Sequence, residues 1–258
     1  DKNRACQLLK QNDGLVDAFG LGGTDLYIYA GDQRHTIAES KNIAKCAQKT
    51  PLVDGSGLKG TLERNIAALL KQDYGVDLAG KKVLMVCAVD RFGMAESLAA
   101  YGCKVTYGDI VYGLGLNYPI YSLQTLFRLA KIVVPIITKL PIKYFYPIGE
   151  KQNEQVIRYP QYFRDNEVIA GDFHMIRRFM PPDMAGKIII TNSVTAEDRN
   201  LLRTSGVKLL VTTTPKMQGR SFGTNVLEAL LVAMGANSPK DYKIFLEKLD
   251  IKPCVEYL

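Results

Sequence analysis

A few short stretches of this 258-residue chain concentrate side chains able to move protons or hold anions. DGSGLKGTLER (54–64) sets Asp54, Ser56, Lys59, Glu63 and Arg64 at a loop-to-helix junction. Lys59 and Glu63 are four apart, so a helix brings them to one face. A lysine desolvated beside a cleft serves as general acid or base. The plain alternative is a helix capped by Thr61 with an ion pair in solvent. AGDFHMIRR (170–178) places His174 beside Asp172 at the end of an apolar run, where an imidazole could shuttle a proton or contact substrate. His35 falls in a β-hairpin and reads as structural. With no HxH or HExxH spacing, no metal site is expected. Asp25, after the glycines of FGLGGTDLY (19–27), could face a cleft between segments.

Two further stretches suit phosphate chemistry. In KKVLMVCAVDRFGMAESLAAYGCKVTYGD (81–109) an apolar run, a turn, an Ala-rich helix and a second strand follow one another. The turn residues Ala88, Asp90, Arg91, Phe92 and Gly93 fill the slots of a GxGxxG fingerprint with only its last glycine kept. That glycine permits close packing, and Arg91 could pair with a phosphate. Asp90 would repel a phosphate unless it caps the helix. Asp109 ends the second strand, where an acidic residue holds a ribose 2′-hydroxyl and disfavours a 2′-phosphate. PKMQGRSFGTNVLEALLVAMG (215–235) carries Arg220, Ser221, Gly223 and Thr224 at a helix start, a second anion-binding candidate.

The elements that must position these groups are legible from periodicity. DKNRACQLLKQ forms an amphipathic helix, and LYIYAGDQRHTI a hairpin turning at Gly31-Asp32. TLERNIAALLKQDYG is helical, with Leu62, Ile66, Leu69 and Leu70 on its apolar side. Strands at 83–89 and 103–108, then in NEVIAGD, GKIIITNS and VKLLVTTTP, alternate with helices. The chain closes on helices in GTNVLEALLVAMG and DYKIFLEKL. This alternation predicts an α/β fold, a doubly wound, mostly parallel Rossmann-like sheet. A small mixed N-terminal domain (1–75) would hold substrate, and a nucleotide-binding domain (76–258) would carry a hydrophobic insertion at 110–165. That Tyr-, Leu- and Pro-rich insertion is too interrupted by charge and proline to span a membrane. It reads as a lid, a protomer interface or an amphipathic surface, burial being the plainer reading.

Composition sets broad limits. Net charge +7 and a pI near 9.0 suit an anionic ligand, but the basic residues are scattered and no nucleic-acid partner is expected. Five cysteines without CxxC spacing argue against a disulfide framework and for a cytoplasmic setting. Peripheral membrane contact has only the insertion behind it, and a homo-oligomer, a dimer first, would bury that segment.

The run DGSGLKGTLERNIAALLKQDYGVDLAGKKVLMV (54–85) resembles the join between catalytic and cofactor domains of shikimate/quinate dehydrogenases, which reads DG-x-L-x-G-x-NTDG, a helix, then DL-x-GK-x-VL. LLVTTTPKM (209–217) is similar to that family's NATP-x-GM strand end. GRSFGTNV and GDFHMIRR resemble bacterial proteins named quinate 5-dehydrogenase by similarity. The family's NTD aspartate is missing here, where the run Gly60-Thr61-Leu62-Glu63-Arg64 brings Arg64 or Glu63 near its place, and its upstream lysine motif has no counterpart. The resemblance implies a dehydrogenase moving hydride between a nicotinamide cofactor, NAD ahead of NADP, and a hydroxyl or carbonyl of a small anionic substrate. Lys59, Glu63, Arg64 and His174 would then be the catalytic and substrate-positioning residues. Asp90, Arg91, Phe92, Gly93, Asp109, Thr213, Thr214, Arg220 and Ser221 would contact the cofactor. The eroded glycines favour a different class, a transferase or ligand-sensing module binding a nucleotide or phosphorylated ligand without redox chemistry.

Overall fold

The computed structural model describes residues 2–30, 33–140, 155–217 and 220–258. In chain order it begins with helix α1 (Lys2–Asn12), strand β1 (Phe19–Gly20), the hairpin β2 (Tyr27–Ala30) and β3 (Gln33–Thr36), helix α2 (Ala38–Ala44) and strand β4 (Leu52–Val53). Helices α3 (Ser56–Glu63) and α4 (Ile66–Tyr74) follow. Then come β5 (Lys82–Met85), α5 (Phe92–Ala100), β6 (Lys104–Tyr107), α6 (Leu123–Ile137), α7 (Pro160–Asp165), β7 (Val168–Ala170) and α8 (Phe173–Phe179). The chain finishes with β8 (Ile188–Thr191), α9 (Ala196–Thr204), β9 (Leu209–Thr212), β10 (Lys216–Met217), β11 (Arg220–Ser221), α10 (Thr224–Ala233), α11 (Pro239–Lys248) and β12 (Cys254–Tyr257).

Six strands form the central sheet in the order β12-β9-β8-β7-β5-β6, all parallel except β12, which pairs antiparallel with β9. The expected α/β, mostly parallel, doubly wound fold is therefore present. Side chains alternate across each strand, so the sheet has two apolar faces to bury. Val83, Met85 and Val211 pack with Leu98 and Leu126 on one face; Leu84, Ile189 and Leu210 pack with Ile176 and Leu202 on the other. A third apolar cluster joins Leu58 and Leu62 of α3 to Leu227 and Leu231 of α10 and Leu246 of α11. The chain passes from β6 back across β5 to reach β7, which makes the carboxyl ends of β5 and β7 the topological switch point.

Three local expectations need correction. SGLKG is already helical: Thr61 lies inside α3 rather than capping it, and the helix breaks at Arg64-Asn65 before α4. The residues after β6 form a π-helical turn over Asp109–Leu114, and amphipathic α6 then buries Leu126, Ala130 and Val134 while Ile132 and Ile136 stay exposed. Cys6 and Cys46 are joined by a disulfide, with Cα atoms 5.4 Å apart, because α1 packs beside α2. Their separation of 40 residues carried no local signal. The turn of the β2–β3 hairpin, residues 31–32, lies outside the described residues. Among the described residues, no helix is long and apolar enough to cross a membrane.

Candidate functional site

Glycines explain how the N-terminal segment reaches the sheet. Gly55 holds φ +91°, and a Cβ there would stand 2.7 Å from the Asn225 backbone nitrogen; at Gly20 one would stand 2.8 Å from the Asn225 carbonyl oxygen. The start of α10 thus rests against backbone, and the Gly-rich runs at 19–23 and 54–57 serve that approach. Asp54 ties the same junction together. Its carboxylate accepts the Leu26, Tyr27 and Ser56 backbone N–H groups and the Ser56 hydroxyl. Glu228 of α10 accepts the Gly55 N–H at 2.6 Å and the Tyr242 hydroxyl at 2.9 Å. Burial pushes the Glu228 carboxyl up to about 7.

This docking carries α3 over the carboxyl end of β5 and assembles a mixed charge cluster. Lys59 Nζ lies 3.2 Å from Asp25 Oδ1 and 3.2 Å from Asp90 Oδ1. One turn along α3, Glu63 pairs with the Arg91 guanidinium, which also donates to Asp172 Oδ2 at 3.0 Å. Asn192, just past β8, donates from Nδ2 to Asp172 Oδ2 at 3.1 Å, and its Oδ1 accepts the Phe173 N–H. Gly171, at φ +133°, turns the chain after β7 so that Asp172 enters the cluster and caps α8 through the His174 N–H. Arg91 is 2 % exposed and Glu63 1 %, so these are interior pairs with little water to screen them.

Burial on its own lowers the Lys59 ammonium, but Asp25 and Asp90 outweigh it and the net shift is upward. Burial pushes the Asp90 carboxyl up to about 6 against the pull of Lys59. Burial likewise raises Glu63. At Asp172 burial acts upward too, yet Arg91, His174 and Lys59 bring the carboxyl down. Lys59 is thus a fixed cation and Asp90 a carboxyl that titrates near neutrality, the combination needed for proton exchange with a bound hydroxyl. Both line a cleft of about 830 Å³ that also presents Tyr29, Arg34, Thr61, Arg64 and Lys240.

Of the residues expected to act in catalysis, Lys59 and Glu63 face the cluster. Both lie on the face expected of them, but Lys59 pairs with Asp90 and Glu63 with Arg91 rather than with each other in solvent. Arg64 sits at the cleft edge, exposed, with Glu96 at 2.5 Å. His174 is exposed on the first turn of α8, and its neighbour Asp172 joins the charge cluster through Arg91 instead. Asp25 stands behind the cleft wall, paired with Lys59 at 3.2 Å.

The first turn differs from a dinucleotide site. Arg91 turns inward to Glu63 and Asp172 rather than outward to a phosphate. Asp90 does not cap α5; it holds Lys59. Phe92 is buried and stacks on Phe127 with ring centroids 4.8 Å apart. Gly93 packs against α3, where a Cβ would lie 3.3 Å from the Gly60 Cα. Asp109 Oδ1 accepts the Ala88 and Val89 N–H groups at 2.9 and 2.8 Å, so those donors are committed within the protein. Thr214 donates its hydroxyl to the Asn192 carbonyl, and the Thr213 hydroxyl is buried without a hydrogen-bond partner. The side chains of Arg220 and Ser221 lie outside the described residues.

Sequence reasoning did not single out Asn192 or Glu228, and gave Asp172 no role of its own. TNS after a Val/Ile-rich strand was the available signal for Asn192. A lone glutamate in an apolar helix was the signal for Glu228.

Comparison with known proteins gives little further function. No curated protein matches the chain. Among solved structures it is similar to a dipicolinate synthase polypeptide from Bacillus halodurans, at 14% identity and a TM-score of 0.33. That match covers 83% of this chain and 63% of that one, so the chain spans less than two thirds of that protein's length. A Mycobacterium smegmatis protein is similar at 14% identity and a TM-score of 0.30, over 83% and 72% of the two chains. Residues 1–54 match a domain of unknown function, DUF8753, and residues 57–258 match another, DUF8754. The second match spans most of the molecule, and the chain belongs to the DUF8754 family.

Proposed function

We propose that this protein is an enzyme that exchanges a proton with a hydroxyl or carbonyl oxygen of a small polar substrate bound in the cleft above β5. The supporting observation is the Lys59 ammonium held 3.2 Å from Asp90, whose carboxyl is raised to about 6, at the cleft wall. Asp90 takes the proton of a bound substrate hydroxyl and returns it in the reverse direction. Lys59 stabilises negative charge on that oxygen and keeps Asp90 oriented. Glu63, Arg91, Asp172 and Asn192 hold the pair in place. Arg34, Arg64 and Lys240 around the cleft favour an anionic substrate, and a hydroxylated carboxylate of the shikimate or quinate kind is the first to test.

The Rossmann-like sheet favours the redox form of this chemistry, a dehydrogenase for which a nicotinamide, NAD ahead of NADP, would supply the two-electron acceptor. The residues of the first turn do not fit a diphosphate, because Asp109 holds the Ala88 and Val89 N–H groups, and proton exchange at Asp90 requires no such cofactor. That same observation favours the second reading, proton chemistry or group transfer without redox.

Thermal-shift titrations with quinate, shikimate, NAD, NADP, S-adenosylmethionine and a nucleotide sugar separate the two. A quinate or shikimate shift that disappears in both Lys59→Met and Asp90→Asn, with native circular dichroism retained, supports the site. Shifts unchanged in both variants would remove it. Stabilisation by a nicotinamide nucleotide selects the dehydrogenase form, and a shift only with the other donors selects the second.

A further inference from the structure

Fold and sequence both lead to the turn after β5 as the place for a ligand's phosphates, since backbone N–H groups at such a turn collect anions. In this protein those donors converge on a carboxylate of the chain itself. Asp109 Oδ1 accepts from Ala88 N at 2.9 Å and from Val89 N at 2.8 Å, and the Cys87 thiol points to the same oxygen at 3.6 Å. Asp109 Oδ2 is buried with no hydrogen-bond partner, so the carboxylate is held there by the turn alone.

The geometry behind Asp109 is fixed from several sides. Gly108 donates its N–H to the Met85 carbonyl at 2.8 Å, and the Tyr112 N–H returns to the Gly108 carbonyl. A Cβ on Gly108 would lie 2.6 Å from the Tyr112 ring and 3.0 Å from the Val86 carbonyl oxygen, so the backbone passes as close as glycine allows. Asp109 opens the π-helical turn that follows. Ala88 puts a fully buried methyl where a dinucleotide turn has glycine, and Arg91 is engaged with Glu63 and Asp172. Three features that a diphosphate needs are therefore altered together: free N–H groups, close backbone approach and an outward cation.

We infer that the anion seat of the first strand-to-helix turn is filled by the protein's own Asp109, and that this side chain excludes a ligand's diphosphate from the seat. The inference is independent of the proton-transfer reading, because Asp109 and Lys59 belong to different contacts and are tested by different variants. It assigns Asp109 a role opposite to that of a ribose-holding acid, and the two roles predict opposite signs.

The test titrates the full chain and its Asp109→Ala and Asp109→Asn variants with inorganic pyrophosphate, ADP and NAD. Calorimetry reads affinity, and the amide resonances of Ala88 and Val89 read the location. The expected result is no movement of those amides in the native chain, and movement in Asp109→Ala with at least tenfold tighter binding of pyrophosphate. Asp109→Asn keeps an accepting Oδ1 without the charge and should still fill the seat, leaving the amides unmoved; Asp109→Ser, too short to reach both N–H groups, carries the comparison if the alanine variant does not fold. Native binding of NAD that moves both amides and weakens tenfold or more on Asp109→Ala overturns the inference. So does a folded Asp109→Ala variant in which pyrophosphate still leaves the amides unmoved, because the turn would then not be an anion seat.

Discussion

Lys59 Nζ stands 3.2 Å from Asp90 Oδ1, joining a helix of the N-terminal third to the turn after the first strand of the main sheet. Asp25 holds the same ammonium at 3.2 Å. The ammonium therefore lowers the cost of ionising Asp90 in a site where burial raises it. Lys59→Met removes that support and should move the Asp90 carboxyl midpoint above about 6, as read by carbon-13 NMR of the side-chain carboxyl. Lys59→Arg should keep most of the effect. In an assay with a turned-over substrate, Lys59→Met should cost on the order of a hundredfold or more in rate.

Stability should fall as pH rises from about 4 to about 7. Asp90 and Glu228 titrate near 6 and 7 in the folded chain, and both would ionise near pH 4 when unfolded. Between those values the folded state binds more protons, so the stabilisation present at low pH is lost as pH rises through the folded pKa. Urea midpoints measured across this window should show the slope, and Glu228→Gln should flatten it. An unchanged slope in that variant would remove Glu228 from the account.

Arg91 is a buried cation paired with Glu63, with Asp172 at 3.0 Å and with Asp90 at 3.8 Å, so removing it strands charge in the interior. Arg91→Met should cost about 3–5 kcal/mol of folding free energy. Adding Glu63→Gln and Asp172→Asn should recover part of that loss, because the stranded carboxylates are then neutral. Additive losses in the multiple variant would mean that the three groups are not coupled.

Gly55 combines φ +91° with a Cβ position 2.7 Å from the Asn225 nitrogen. Gly55→Ala should therefore destabilise by at least about 1–3 kcal/mol. It should also disturb the Gly55–Glu228 hydrogen bond that docks α3 on α10. Gly75→Ala is a useful comparison: its φ is also positive, at +68°, but a Cβ there meets open space, so only the backbone cost applies.

Cys6 and Cys46 tie α1 to the end of α2 across a separation of 40 residues. Closing a loop of that length stabilises by about 3–4 kcal/mol in the chain-entropy account. Cys46→Ser, or reductant added to the native chain, should lower the unfolding free energy by up to that amount. Equal unfolding curves with and without reductant would show that the bridge contributes nothing.

The sequence by itself determined the elements and the sheet. Alternating Val and Ile in VLMV, EVIA and KIIIT needs two apolar faces, and the intervening amphipathic helices can cover both. Lys59, Glu63 and Asp90 stood out in the sequence as charged groups at loop-to-helix junctions beside strand ends. Their partners were decided only by the tertiary structure. Lys59 meets Asp90, and Arg91 meets Asp172 from a strand 81 residues away, because the crossover from β6 to β7 places those strand ends side by side. Cys46 reaches Cys6 by helix packing of the same non-local kind. Asp109 is the sharpest case: its position at a strand end was plain, but its direction was not. Whether such a carboxylate reaches outward to a ligand or back to the adjacent turn depends on the conformation of Gly108 and the π-turn after it, which residue types alone do not fix.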